Sequence, residues 1–159
     1  MTKIIIRKAN LDDLNFMVNL ALKEFWMEYG DYEIAEKNFR TIIANRWRSW
    51  IENRRAYFLI CEVNDVRVGF LIFRWWFGWN GWLDLIVIDE NFRGKSFGAK
   101  LLSELIKRVK GEGYRKICFA IKRNSKSIEF YSKFNAKKFG EIFDEDLNDY
   151  LDLYYINVG

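Results

Sequence analysis

Histidine and proline are both absent from the 159 residues, and each absence narrows what the chain can do. Without histidine there is no Ser-His-Asp triad and no Cys-His pair within the chain. Acid–base chemistry then falls to Asp, Glu, Tyr, Cys, Lys or bound water. Without proline, turns rest on Gly, Asn and Asp. Cysteine is scarce: Cys61 and Cys118 each sit in an apolar, strand-like run and read as core thiols. Two isolated thiols with no histidine make no zinc site, so no metal is expected. No apolar run reaches the ~18–20 residues that span a bilayer. Residues 1–7 read as a short strand rather than a signal peptide. The expectation is a cytoplasmic protein with no membrane partner. Long runs of one charge are missing as well. The net charge of +4 is spread over a mixed-sign surface, and no nucleic-acid partner is expected.

What is present is apolar. Half of the residues are hydrophobic, enough for a sizeable core in a single domain spanning residues 1–159. Residues 3–7 read as a strand. Asn10 caps a helix over 11–28, with Leu14, Met17, Val18, Ala21 and Phe25 on one face. After a break at Gly30 and Asp31, Phe39, Ile42, Ile43, Trp47, Trp50 and Ile51 form the stripe of a second helix. Strands at 56–63 and 66–77 flank an Asn64-Asp65 turn, and 82–88 is a further strand. A third helix over 96–112 turns Phe97, Leu101, Leu102, Leu105, Ile106 and Val109 inward. A strand at 116–121, a short helix at 125–134 and strands at 137–143 and 150–158 complete the order β-α-α-β-β-β-α-β-α-β-β. That order predicts an α/β (α+β) fold, a mixed sheet of about six to seven strands with about four helices on its two faces.

The segment with most chemistry joins a strand to a helix. Leu85-Ile86-Val87-Ile88 ends the strand, and Arg93-Gly94-Lys95-Ser96-Phe97-Gly98-Ala99 opens the helix. Free N–H groups and the dipole at a helix start attract phosphate. Small residues at 94, 96, 98 and 99 admit a pyrophosphate, and Arg93 and Lys95 add positive charge. Gly94-Lys95-Ser96 is also the tail of a P-loop, but Asp89 stands where that motif needs its first glycine. A nucleoside triphosphatase is therefore disfavoured.

Residues 83–102 resemble the GNAT family of N-acetyltransferases, whose signature [QR]-x-x-G-x-[GA] aligns with Arg93 to Gly98, with Ser96 in place of the usual glycine. A second segment, Asn124-Ser125-Lys126-Ser127-Ile128-Glu129-Phe130-Tyr131, resembles the family's later helix. Asn135 stands there for a glycine, and asparagine tolerates the left-handed conformation of a helix C-cap. The resemblance covers about residues 56–143. It implies a GNAT fold and an acetyl-CoA-dependent N-acetyltransferase, loosely nearest the polyamine and diamine branch. It places the pantetheine arm on the backbone of Ile86, Val87 and Ile88. The pyrophosphate falls on Arg93, Gly94, Lys95, Ser96, Phe97, Gly98 and Ala99, and further CoA contacts on Asn124, Ser127 and Tyr131.

Tyr131 would be the general acid that protonates the leaving thiolate, and is otherwise a core aromatic. Asn124 is otherwise a plain N-cap. Asp84, on a strand face with Ile86 and Ile88 by period two, would be the base, acting through water. A small cationic amine is the favoured acceptor. Carboxylates at 24, 28, 31, 33 and 36 and at Asp144, Glu145, Asp146 and Asp149 would steer it. Trp26, Tyr29, Trp75, Trp76, Trp79 and Trp82 offer cation–π contacts. Protein or peptide amines, a non-catalytic acyl-CoA-binding module and a homodimer stay open.

Overall fold

Residues 1–24, 37 and 39–159 are described by the computed structural model. Seven strands form one sheet in the order β1-β2-β3-β4-β5-β7-β6. They are β1 (Ile4–Lys8), β2 (Ala56–Val63), β3 (Val66–Phe77), β4 (Asn80–Ile88), β5 (Lys116–Lys122), β6 (Lys137–Asp144) and β7 (Asp149–Asn157). The helices are α1 (Leu14–Glu24), α2 (Ala44–Glu52), α3 (Phe97–Gly111) and α4 (Ser127–Ser132). Among the described residues only the β4–β5 pair is parallel; the other neighbours run antiparallel. The expected element order and mixed sheet are those observed. No helix among the described residues is long and apolar enough to cross a membrane.

Alternation along the strands builds a core on each face. On one face α3 sets Leu101, Leu102, Leu105 and Val109 against Leu71, Phe73 and Phe119. On the other, Met17, Val18 and Ala21 of α1 and Trp47 of α2 cover Ile60, Phe70 and Ile72. Among the described side chains, which leave out Phe25 and Phe39, the helix stripes read from the sequence hold with one exception. Ile42 is exposed, because a π-helical turn at Phe39–Ile43 precedes α2 and its wider repeat turns the register. Phe25 and the expected break at Gly30 and Asp31 lie outside the described residues.

The chain leaves β1 through a capping box. The Asn10 side chain accepts from the Asp12 N–H, and the Asp13 carboxylate accepts from the Asn10 N–H at 2.8 Å. Asp13 is fully buried. It is held by a two-pronged pair to Arg7, 2.8 Å on each oxygen, and by Arg67 at 2.9 Å. Burial opposes its charge, but the Arg7 hydrogen bonds, the Asn10 N–H and the charges of Arg7 and Arg67 outweigh it. Its carboxyl sits below the usual carboxylate range. Asp13→Ala leaves Arg7 without its main partner and should cost about 3 kcal/mol. Since the folded pKa is depressed, Asp13 stabilises the fold above the unfolded value of about 4, and the contribution fades as pH falls through the folded value. Urea unfolding of wild type and variant from pH 7 downward should show the two curves converging in acid.

Candidate active site

The sheet opens at its centre. β4 and β5 pair only from Asn80–Lys116 to Trp82–Cys118. Beyond that, β4 runs to Ile88 against β3, and β5 runs to Lys122 against β7. The edge of β4 over Ile86, Val87 and Ile88 therefore faces a gap in place of a strand.

A β-bulge sits where the gap begins. Phe73 pairs with Leu83 and Ile72 with Leu85, which leaves Asp84 as the extra residue. Leu83, Ile86 and Ile88 pack into the α3 core, whereas Leu85 and Val87 pack against α1 and α2. Period two thus breaks at Asp84. Contrary to the sequence expectation, Asp84 does not share a face with Ile86 and Ile88. Its Oδ2 accepts from Arg74 Nε at 2.7 Å, and the Arg74 guanidinium lies 5.5 Å from the ring centre of Trp50 on α2. Asp84 therefore faces the α1–α2 side. Burial pushes its carboxyl above the ordinary range, against the Arg74 hydrogen bond and the charges of Arg74 and Arg46.

After β4 the chain makes a turn over Glu90–Phe92 and reaches α3 through two left-handed residues, Gly94 (φ 74°) and Ser96 (φ 67°). Ser96 stands at the N-cap, but its hydroxyl makes no capping bond. The first bond of the helix is Lys100 N–H to Ser96 O at 3.0 Å, which leaves the N–H groups of Phe97, Gly98 and Ala99 without an intrahelical partner. The Lys95 ammonium lies 5.8 Å from the Phe92 ring. Arg93 turns away from this loop: its guanidinium pairs with Glu24 at the end of α1, and its Nε donates to Ile88 O at 3.1 Å. That cross-tie, joining residues 69 apart, has no signal in the sequence. Nor does the Arg74–Asp84 pair, since its register depends on the bulge.

The second segment comes to the same place. A methyl group added at Gly98 would lie 3.5 Å from Phe130 and 3.6 Å from Ile88, so α3, the end of β4 and α4 meet there. Tyr131 is buried, stacked on Phe119 of β5 at 4.1 Å and edge-on to Phe130. Asn124 is an exposed, left-handed corner (φ 63°) between β5 and α4. Asn124 does not take the expected N-cap, which falls to Lys126 with no side-chain capping bond; just before it, Ser125 Oγ accepts from the Ser127 N–H at 3.2 Å. Asn135 is left-handed (φ 57°) in the turn that closes α4 after its C-cap Lys133, with Ala136 N–H closing onto Tyr131 O.

The other expected groups are divided. The acidic turn from Asp144 to Asp149 joins β6 to β7 and lies next to the end of β5, where Lys122 pairs with Leu151, on the side of the opening. Trp75, Trp76, Trp79 and Trp82 gather at the β3–β4 hairpin, roughly 20 Å along β4 from Ile88. Trp26, Tyr29, Glu28, Asp31, Glu33 and Glu36 lie outside the described residues. Cys61 and Cys118 are buried and free. Burial holds both thiols above their ordinary pKa, which suits core packing rather than a nucleophile.

A parted parallel strand pair, a bulged central strand and an open helix start thus meet in one place in a mixed α/β sheet. The chain belongs to the acetyltransferase (GNAT) family, whose model matches residues 18–136. Solved structures share the fold. An N-acetyltransferase from Staphylococcus aureus Mu50 is 24% identical, with 99% of each chain covered and a TM-score of 0.76. The PaiA N-acetyltransferase from Thermoplasma acidophilum, in complex with coenzyme A, is 21% identical over 95% of this chain and 98% of its own, with a TM-score of 0.75. YncA from Salmonella typhimurium, a putative acetyltransferase with its cofactor acetyl-CoA, is 19% identical over 99% of this chain and 95% of its own, with a TM-score of 0.76. No curated protein matches the chain by sequence.

Ser96 holds a conformation that costs a non-glycine residue about 1–2 kcal/mol, partly offset by the greater unfolded freedom of glycine. Ser96→Gly should stabilise the protein by about 0.5 kcal/mol, read as a higher urea midpoint at unchanged slope.

Proposed function

We propose that this chain transfers the acetyl group of acetyl-CoA directly to a primary amine, with a small cationic amine as acceptor. The observation that carries the reading is the opening of β4 from β5 beside the uncapped start of α3. The unpaired edge of Ile86, Val87 and Ile88 suits an amide-bearing pantetheine arm. The free N–H groups of Phe97, Gly98 and Ala99, with Lys95 nearby, suit its pyrophosphate. Gly94 and Ser96 shape that loop, and Arg93 braces it through Glu24. Asn124 and Ser127 flank the opening on the β5 side.

An ammonium entering from the α1–α2 side meets Asp84, directly or through a water, and gives up a proton. Only the resulting neutral amine attacks the acetyl carbonyl. A β4 N–H at Val87 or Ile88 stabilises the oxyanion. The C–S bond then breaks, and Tyr131 protonates the thiolate. Holding both substrates in register supplies several kcal/mol of the barrier reduction. The carboxylates from Asp144 to Asp149 attract cationic acceptors to the opening.

The test is release of free CoA thiol with spermidine, a diamine, a lysine analogue and short peptides, at two salt concentrations. Polyamine turnover that falls with salt is expected. Turnover confined to peptides with uncharged side chains overturns the acceptor assignment, and thiol release with no amine overturns the transferase. Tyr131→Phe should lower kcat about 10²–10³-fold with little change in KM for acetyl-CoA. Wild-type activity should rise with pH through the raised Asp84 value, because the base works only when deprotonated. Asp84→Asn should remove that limb.

A further inference from the structure

A cavity of about 610 Å3 lies at the other end of the sheet from the β4–β5 opening. Its wall joins the last residue of β1, the turn after α2, the start of β2 and the end of β3. Four cations line it, Lys8, Arg54, Arg55 and Arg74, against one carboxylate, Glu112. Among the described residues Lys8, Arg54 and Arg55 form no ion pair. Lys8 instead sits 5.6 Å from the centre of the Tyr57 ring. Arg54 is itself left-handed, at φ 53°, so the turn holds two adjacent arginines at the cavity at a conformational cost. Like charges gathered in a concave site raise the local potential and the concentration of anions within it. The Trp75 indole, held by its bond to Gly78 O at 3.0 Å, adds a fixed aromatic wall.

The fourth cation connects this cavity to the chemistry. Arg74 lines the cavity and also donates to Asp84 at 2.7 Å. We infer that the cavity binds a small polyanion, a polycarboxylate or a phosphate ester, and that the bound anion draws on Arg74 and so loosens its hold on Asp84. The binding half stands on the cavity alone; the coupling half rests on Asp84 being the base.

Calorimetric titration with citrate and with 2-phosphoglycolate tests the first half, and the two probes separate carboxylate from phosphate recognition. At least one should bind, with affinity unchanged by saturating CoA. In the double variant Arg54→Asn/Arg55→Gln binding should weaken about tenfold or more, and the single variant Lys8→Gln should weaken it less. Asparagine suits the left-handed turn, and an unchanged circular dichroism spectrum and CoA affinity check that the fold is kept. No binding of either probe, displacement by CoA, or undiminished binding in a folded double variant overturns the site. For the second half, the bound probe should shift the acid limb of the pH–rate profile in the wild type and not in the double variant. Binding without that shift overturns the coupling. Full activity of Asp84→Asn would instead overturn the base assignment and leave the calorimetric result standing.

Discussion

The parallel ladder between β4 and β5 stops at Trp82 and Cys118, and the candidate site depends on where it stops. A β-strand pays for its polar backbone through its neighbours, and an edge left unpaired inside a sheet is a standing invitation to a ligand that can replace the missing strand. The bulge at Asp84 falls two residues beyond the last paired residue. It turns Asp84 toward α1 and α2 while Ile86 and Ile88 return to the α3 face. One extra residue thus separates the chemistry into two sides. The gap and the α3 loop lie on one side, and a carboxylate looks out on the opposite face.

The helices keep that gap open by packing elsewhere. α3 buries its stripe against β2, β3 and β4 and presents only its first turn to the opening. Contact at Gly98 with Ile88 and Phe130 brings α4 alongside, and Tyr131 stacks on Phe119 in the same core. The role of Tyr131 as a core aromatic and its position beside the opening are therefore compatible. α1 is tied to the loop by two sets of charges, Glu24 to Arg93 and Lys23 to Asp89 and Glu90. The end of α1 and the loop that leads into α3 are thus mechanically joined. Exposed pairs such as those of Lys23 add little stability; the Glu24 pair, with its carboxylate largely buried, matters more.

Local order determines what a sequence discloses. The strand and helix sequence, the inward stripes of α1 and α3, the Asn10 cap, the left-handed Asn135 and the loop at 93–99 were legible. Each depends on neighbours within a few residues, through periodicity, capping or backbone preference. The Ile42 face was misread because a π-helical turn changes the repeat without changing composition. The expected Asn124 cap of α4 did not form, since Asn124 is taken up by the left-handed corner and the N-cap falls to Lys126.

The sequence by itself determined the fold class, the open helix start after residues 93–96 and the family, because those rest on short-range patterns. Tertiary structure alone decided the face of Asp84, its bond to Arg74, the direction of Arg93 and the distance of the tryptophan hairpin from the loop. A bulge reverses every later side chain on its strand, and only the register against β3 reveals it. Ion pairs between residues far apart in the chain, such as Glu24 and Arg93, arise from the way whole elements pack and leave no mark on the spacing of the residues that form them.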